Sequence, residues 1–337
     1  MLFSRINNLF STSQALNFIL RGLKSIPVKL PLFMTSATGN KQVLFIINKY
    51  SGTGYKPAVE GRLLSFCQQA GLEAHLEFTQ GRGHATQLAR EASQSKNFDV
   101  VFAMGGDGTV NEVAKGVVNT NQVMGIIPKG SGNGLARHLG IPLDFKKCLG
   151  YIPSEEVIAM DSFTVNNHLS INVSGIGFDG HIADLFGKNG KRGLANYARL
   201  VLQEFMMYNE ISGEIFIDGT SVQAKAFVIA FANSSQFGNN ARIAPYASVC
   251  DGELDISFVK KVPFLEAPAF AYKMFSGTLD KSNYIKLLKG KEISLRFSEP
   301  VAFHVDGEAM QAERKFEVKI NPGSIRLLIP GNQSKNI

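Results

Sequence analysis

Four stretches of this chain set glycine beside residues able to hold or move charge. The densest is Ala103-Met104-Gly105-Gly106-Asp107-Gly108-Thr109-Val110-Asn111-Glu112. Glycine lets a backbone approach a bulky anion closely and adopt positive φ. A helix starting here would offer unbonded N–H groups and a positive dipole end to phosphate. Asp107 among such donors would be out of place for phosphate alone. It makes sense if it holds Mg2+ against the phosphates or accepts a proton. A plain Gly-Asp-Gly turn explains one or two glycines, but not three with an acid among them.

The second stretch is Ile127-Pro128-Lys129-Gly130-Ser131-Gly132-Asn133-Gly134-Leu135-Ala136-Arg137. Gly130 and Gly132 permit close approach, and Ser131 and Asn133 offer hydrogen bonds. Its glycines are out of register for a dinucleotide fingerprint. The third runs from Asn48 to Gly54 and includes Ser51 and Gly52, and the fourth runs from Thr79 to Ala85. His84 by itself fits a helix-start histidine better than a catalyst. The other histidines show no metal-ligand spacing.

The elements that must carry these loops alternate. Gln42–Asn48, Glu73–Phe78, Val100–Met104 and Gln122–Ile127 read as strands, each ending at one of the four loops. Pro57–Ala70, Gly83–Ser93 and Thr109–Val118 have helical spacing. This pattern predicts an α/β domain with a doubly wound parallel sheet over residues 41–160, its loops gathered at one sheet edge. Beyond residue 160 the runs shorten and turn β-rich: Ser162–Val165, Ser170–Val173, Gly213–Ile217, Ala224–Phe231, Leu254–Val259, Glu292–Arg296, Lys315–Ile320 and Ser324–Ile329. A mostly antiparallel β-sandwich over 161–330 is predicted, with helical insertions at Leu194–Met207 and Phe264–Phe275 and a tail at 331–337.

Composition narrows the class. The chain has 337 residues, 45% hydrophobic and 19% charged, with net charge +7. Disorder, a collagen repeat and a disulfide scaffold are excluded. The basic excess suits an anionic partner. Nucleic acid is not expected: Trp is absent, and aromatic and basic residues do not interleave. Cys67, Cys148 and Cys250 read as reduced core thiols of a cytosolic protein. Residues 1–40 hold Arg5, Arg21, Lys24 and Lys29 and no acid, over half the charge excess. This extension reads as a basic amphipathic helix, as a transit peptide, or as an overextended start before Met34. No apolar stretch is long enough for a transmembrane helix.

Taken together, GGDGTVNEV, PKGSGNGLAR and the preceding Thr79…His84-Ala85 segment resemble the diacylglycerol kinase catalytic domain family, which includes bacterial soluble lipid kinases, sphingosine kinases and ceramide kinases. The resemblance runs over most of residues 41–330. It implies a nucleotide domain, a lipid-binding β-sandwich, and ATP with Mg2+ in the cleft between them. Asn48 to Gly52 match the first nucleotide loop, with Lys49 where the family usually has Pro. Thr79 matches a nucleotide-contacting threonine, and Gly105 to Glu112 the phosphate loop. Ser131 stands where many bacterial members have Thr, and Gly132-Asn133 resembles the sphingosine kinase version.

The resemblance also assigns roles in the second domain. Glu308, in His304-Val305-Asp306-Gly307-Glu308, would be the general base that takes the lipid hydroxyl proton, with Asp107 its catalytic counterpart. On the residues alone, Asp306-Gly307 reads as a hairpin turn. Ala247 to Asp255 match a segment that binds a structural Mg2+ in some bacterial relatives, through the Asp251 side chain and backbone oxygens of Ser248 and Glu253; another Asp-Gly turn competes with this. Asp179 matches a polar residue near the cleft. The implied reaction is transfer of the ATP γ-phosphate to a membrane lipid hydroxyl, diacylglycerol first, with a sphingoid base or ceramide as alternatives and a catalytically inactive sensor as the rival of another class. An NAD kinase shares the first loop but has no counterpart of PKGSGNGLAR. A cytoplasmic enzyme with peripheral membrane contact is expected, through basic loops at Lys188, Lys191, Arg192 and at Lys260-Lys261, with room for a homodimer.

Overall fold

The computed structural model describes residues 40–52, 56–188, 194–223 and 225–331. The readings for residues 1–39, Thr53, Gly54, Lys191 and Arg192, and most of the tail, lie outside these. In the first lobe, β1 (Lys41–Ile47), β2 (Leu72–Phe78), β3 (Val100–Gly105) and β4 (Val123–Pro128) run parallel in the order β2-β1-β3-β4. Helices α1 (Ala58–Gln69), α2 (His84–Ser95) and α3 (Asp107–Val117) make the crossovers. β3 and β4 are apolar without interruption because both of their faces are buried. Two short helices, α4 (Gly134–His138) and α5 (Phe145–Leu149), lead on from β4.

The second lobe begins with β5 (Val157–Val165), β6 (His168–Ser170), β7 (Val173–Gly177), α6 (Phe178–Lys188) and α7 (Leu194–Phe205). It continues with β8 (Ile211–Ile217), β9 (Thr220–Val222), β10 (Lys225–Ala226), β11 (Val228–Ala232), β12 (Leu254–Val259), α8 (Ala267–Ser276), β13 (Ile285–Gly290), β14 (Glu292–Val305) and β15 (Glu308–Leu328). Its pairings are antiparallel, and its core centres on Phe163, Phe231, Phe303 and Phe316. The α/β first lobe and β-rich second lobe are the predicted architecture.

The two lobes share one sheet. β15 starts against β14, then pairs antiparallel with β5, and at Arg326 and Leu327 it runs parallel to β4. Ile325, Leu327, Leu328 and Ile329 therefore lie in the first lobe's core. The separate strands expected at Lys315–Ile320 and Ser324–Ile329 are one strand, bent by a register shift between Asn321 and Ile325. Helix α6 was not foreseen: Gly180 and Gly187 interrupt its helical pattern.

Candidate active site

The four glycine loops meet at the C-terminal edge of the parallel strands and bond to one another. The Asn48 amide donates to Thr109 Oγ1 at 3.1 Å, and Ser51 Oγ accepts from the Gly106 N–H at 3.3 Å. Gly52 has φ +70°, and a side chain there would strike the Lys129 carbonyl. Gly106 and Gly130 approach so closely that a Cβ on Gly130 would lie 2.6 Å from the Gly106 Cα. α3 begins at Asp107, so its first turn carries N–H groups with no acceptor inside the helix. Val110 is buried and its N–H donates to the Gly106 carbonyl at 3.1 Å, so it holds the loop's shape.

Asp107 joins the two main loops. Its Oδ2 accepts from the Asn133 N–H at 2.9 Å and its Oδ1 from the Gly134 N–H at 2.7 Å. Burial, with Asp306 nearby, pushes its carboxyl above the usual carboxylate range, while these amide bonds pull it back. Asn133 sits at φ 50° and brackets Gly130, accepting from its N–H and donating to its carbonyl. The second lobe closes over this loop, where the Asn239 N–H donates to the Gly132 carbonyl at 3.3 Å. Ser131 is left exposed.

Glu112 and Asn111 hold structure around the phosphate loop. The Glu112 carboxylate accepts from the Gly83 and Ala85 N–H groups at 3.0 and 3.2 Å, capping α2 from the neighbouring helix. That fixes the loop carrying half-buried Thr79, whose N–H donates to the Ile47 carbonyl at 2.9 Å. The Asn111 amide points at the other lobe, donating to Asp306 Oδ2 at 2.7 Å and to the Leu169 carbonyl at 3.2 Å.

Asp306-Gly307 is the two-residue turn between β14 and β15, with φ of 48° and 83°. The turn reading therefore holds. The Asp306 carboxylate faces inward and accepts from Ser170 Oγ at 2.5 Å and from the Ile171 and Asn172 N–H groups at 3.0 and 3.1 Å. Burial pushes its carboxyl up against the pull of these donors. Two residues on, Glu308 opens β15 half-buried and forms an ion pair with Arg82 of the first lobe's fourth loop. The turn is braced from below: the Gly307 N–H donates to His304 Nδ1 at 3.1 Å, so His304 Nε2 carries the proton it shares with Asp179 at 3.2 Å. The Arg82–Glu308 pair, the bonds that hold the Asp306 carboxylate and the His304–Asp179 contact carried no signal in the sequence, because each joins distant segments.

The expectation of a structural Mg2+ at Ser248, Asp251 and Glu253 does not fit this geometry. Asp251 Oδ1 accepts from the Glu253 N–H at 3.1 Å, while its Oδ2 meets the Lys289 ammonium at 2.6 Å. Lys289 also reaches Asp255 at 3.2 Å. An ammonium stands where a cation would be bound, and among the described residues no cluster of His, Cys, Asp and Glu offers three metal ligands. Lys188 of the expected basic loop is paired with Asp184 at 2.6 Å, which lowers the charge it can offer a partner.

Residues 42–165 match the diacylglycerol kinase catalytic domain, and residues 172–329 match the YegS C-terminal NAD kinase beta sandwich-like domain. A Pectobacterium atrosepticum protein named "Probable lipid kinase YegS-like" is 30% identical over 267 residues, which is 77% of this chain and 87% of that protein. This chain belongs to the diacylglycerol kinase family of lipid kinases. A diacylglycerol kinase of Bacillus subtilis is 28% identical over 273 residues, covering 80% of this chain and 90% of its own. The fold agrees: a crystal structure of a Bacillus anthracis diacylglycerol kinase superposes with TM-score 0.70 at 22% identity, over 88% of this chain and all of the other. Among the described residues, no helix is long and apolar enough to cross a membrane.

Proposed function

We propose that this lipid kinase transfers the γ-phosphate of ATP to the hydroxyl of diacylglycerol, giving phosphatidic acid. The observation that carries the reading is the contact of Glu308, a second-lobe carboxylate, with Arg82 in the first lobe's fourth glycine loop. The loops Asn48–Gly52, Gly105–Glu112 and Ser131–Asn133, with Thr79, form the nucleotide bed. Glu308 takes the proton of the lipid hydroxyl as its oxygen bonds to the γ-phosphorus and the bond to ADP breaks. Such a transition state needs positioning and charge neutralisation more than covalent help. Mg2+ entering with the nucleotide would neutralise phosphate charge. Asp107, which keeps a free lone pair on each oxygen beside its amide bonds, is the protein ligand available to it.

The acceptor must reach Glu308 from a bilayer, so the enzyme works in peripheral contact with a membrane. Incubation of the purified chain with radiolabelled ATP and micelles of diacylglycerol, sphingosine or ceramide tests the acceptor. Label moving to diacylglycerol first is the expected result. Label moving preferentially to ceramide or sphingosine would replace the acceptor and leave the reaction class standing.

A further inference from the structure

Two segments of the second lobe expose large apolar side chains side by side. After β12 the chain reads Lys260-Lys261-Val262-Pro263-Phe264-Leu265, and the turn Phe264–Glu266 lifts Leu265 to 91% exposure with Phe264 beside it. At the end of α7, Leu202, Met206 and Met207 are exposed, Met207 by 70%. Lys261 staples the two segments together. Its ammonium donates to the Met206 carbonyl at 3.1 Å and the Tyr208 carbonyl at 2.6 Å, and its N–H donates to Glu210 at 2.8 Å.

Across the two segments and the adjoining strand, exposed lysines outnumber exposed acids: Lys260 and Lys286 against Glu266, with Glu204 and Glu210 half-buried. Lys260 is exposed, and Lys286 lies opposite Phe258 on the adjoining strand. The acids of the two segments are engaged: Glu204 with His181, Glu210 with the Lys261 amide, and Glu266 with the Tyr284 hydroxyl at 2.7 Å. Exposed phenylalanine, leucine and methionine ringed by lysine suit the headgroup–acyl boundary of an anionic bilayer, where apolar tips insert and ammonium groups meet phosphate.

The patch is joined to the catalytic cleft. Phe205 and Tyr208 pack on Phe178 at 6.1 and 5.5 Å between ring centroids, and Phe178 stacks on Phe227 at 4.4 Å. The next residue, Asp179, meets His304, which holds the turn that presents Glu308. We infer that Phe264-Leu265 and Met206-Met207, flanked by Lys260 and Lys261, form the surface that docks on anionic phospholipid bilayers and sets Glu308 toward the lipid layer. The inference rests on the membrane-resident acceptor proposed above for its purpose, and its test reads binding alone, with no nucleotide or acceptor present.

The full chain is centrifuged with phosphatidylcholine vesicles with and without phosphatidylglycerol. Wild type should sediment with the anionic vesicles, and added salt should weaken it. Phe264→Ser/Leu265→Ser should lower the partition coefficient about tenfold or more. Lys260→Gln should lower it about fivefold on anionic vesicles and leave neutral ones unaffected. All these side chains are exposed, so each variant should keep the wild-type unfolding temperature. Two results would overturn the inference: wild-type binding by the double serine variant, or equal binding of wild type to neutral and anionic vesicles. Loss of dimers with unchanged vesicle binding in the double variant would instead make this face a contact with a second copy. Failure to phosphorylate diacylglycerol would not bear on the vesicle result.

Discussion

Asn111 and Asp306 are 195 residues apart in sequence and 2.7 Å apart in space, and their hydrogen bond joins the phosphate-loop helix to the turn that delivers Glu308. The bond gives Asn111 a task that motif position alone does not suggest. In the proposed reaction it would couple the nucleotide loops to Glu308 through a part-buried bond within the protein instead of through the ligand.

Asn111→Ala should leave the half-buried Asp306 with one donor fewer, at a cost of about 1–3 kcal/mol in stability. Because the turn loosens, kcat should fall roughly tenfold while KM for ATP holds. Chemical denaturation and steady-state kinetics check this. A raised KM with normal kcat would make Asn111 a nucleotide contact instead.

Asp107→Ala should release the Asn133 and Gly134 amides and unfasten the second loop from the first. The loss of two charge-assisted bonds should raise KM for ATP about tenfold or more. Titration with a fluorescent ATP analogue measures it, and unchanged nucleotide affinity would remove Asp107 from the loop's support.

Chelation should leave the second lobe untouched. With Lys289 already paired to Asp251 and Asp255, the thermal midpoint of the nucleotide-free chain should be the same in EDTA and in Mg2+. Lys289→Met should lower stability by about 1–3 kcal/mol, a modest figure because the lysine is partly exposed. A midpoint that rises with Mg2+ in wild type, and not in Asp251→Asn, would restore the metal reading.

Stability should fall in mild acid through His138. Its Nδ1 accepts from the Ser235 N–H across the lobe seam, and burial with Arg242 nearby holds the imidazole down at about 4 against an ordinary 6.5. The folded ring stays neutral where the unfolded ring is protonated, so this contribution is full above pH 6.5 and shrinks as pH drops toward 4. Asp255, raised to about 6 by burial, works in the opposite direction. The comparison is therefore wild type against His138→Asn: between pH 7 and about 5 the variant should lose less of its thermal midpoint. Equal losses would mean that His138 does not titrate as described.

Much of this was legible in the residues. Apolar runs ending in glycine placed β1, β3 and β4 and the loops behind them, because a strand buried on both faces leaves a continuous apolar signal. What stayed hidden depended on long-range partners. Asn111 and Glu112 read as phosphate-loop members, yet one bonds across the lobes and the other caps a neighbouring helix. Lys289 lies in an unremarkable strand, and only the fold sets its ammonium on Asp251. Pro322-Gly323 reads as a strand break, while in the fold it is a bulge inside β15, the strand that returns the chain to the first lobe.

The most direct measurement is phosphate transfer from labelled ATP to diacylglycerol micelles by wild type and Glu308→Gln across pH. Wild type should transfer phosphate with an acid limb in kcat, and Glu308→Gln should fall about 100-fold or more, lose that limb and keep its folding and ATP affinity. A Glu308→Gln enzyme that turns over at the wild-type rate with the same pH profile would contradict the account.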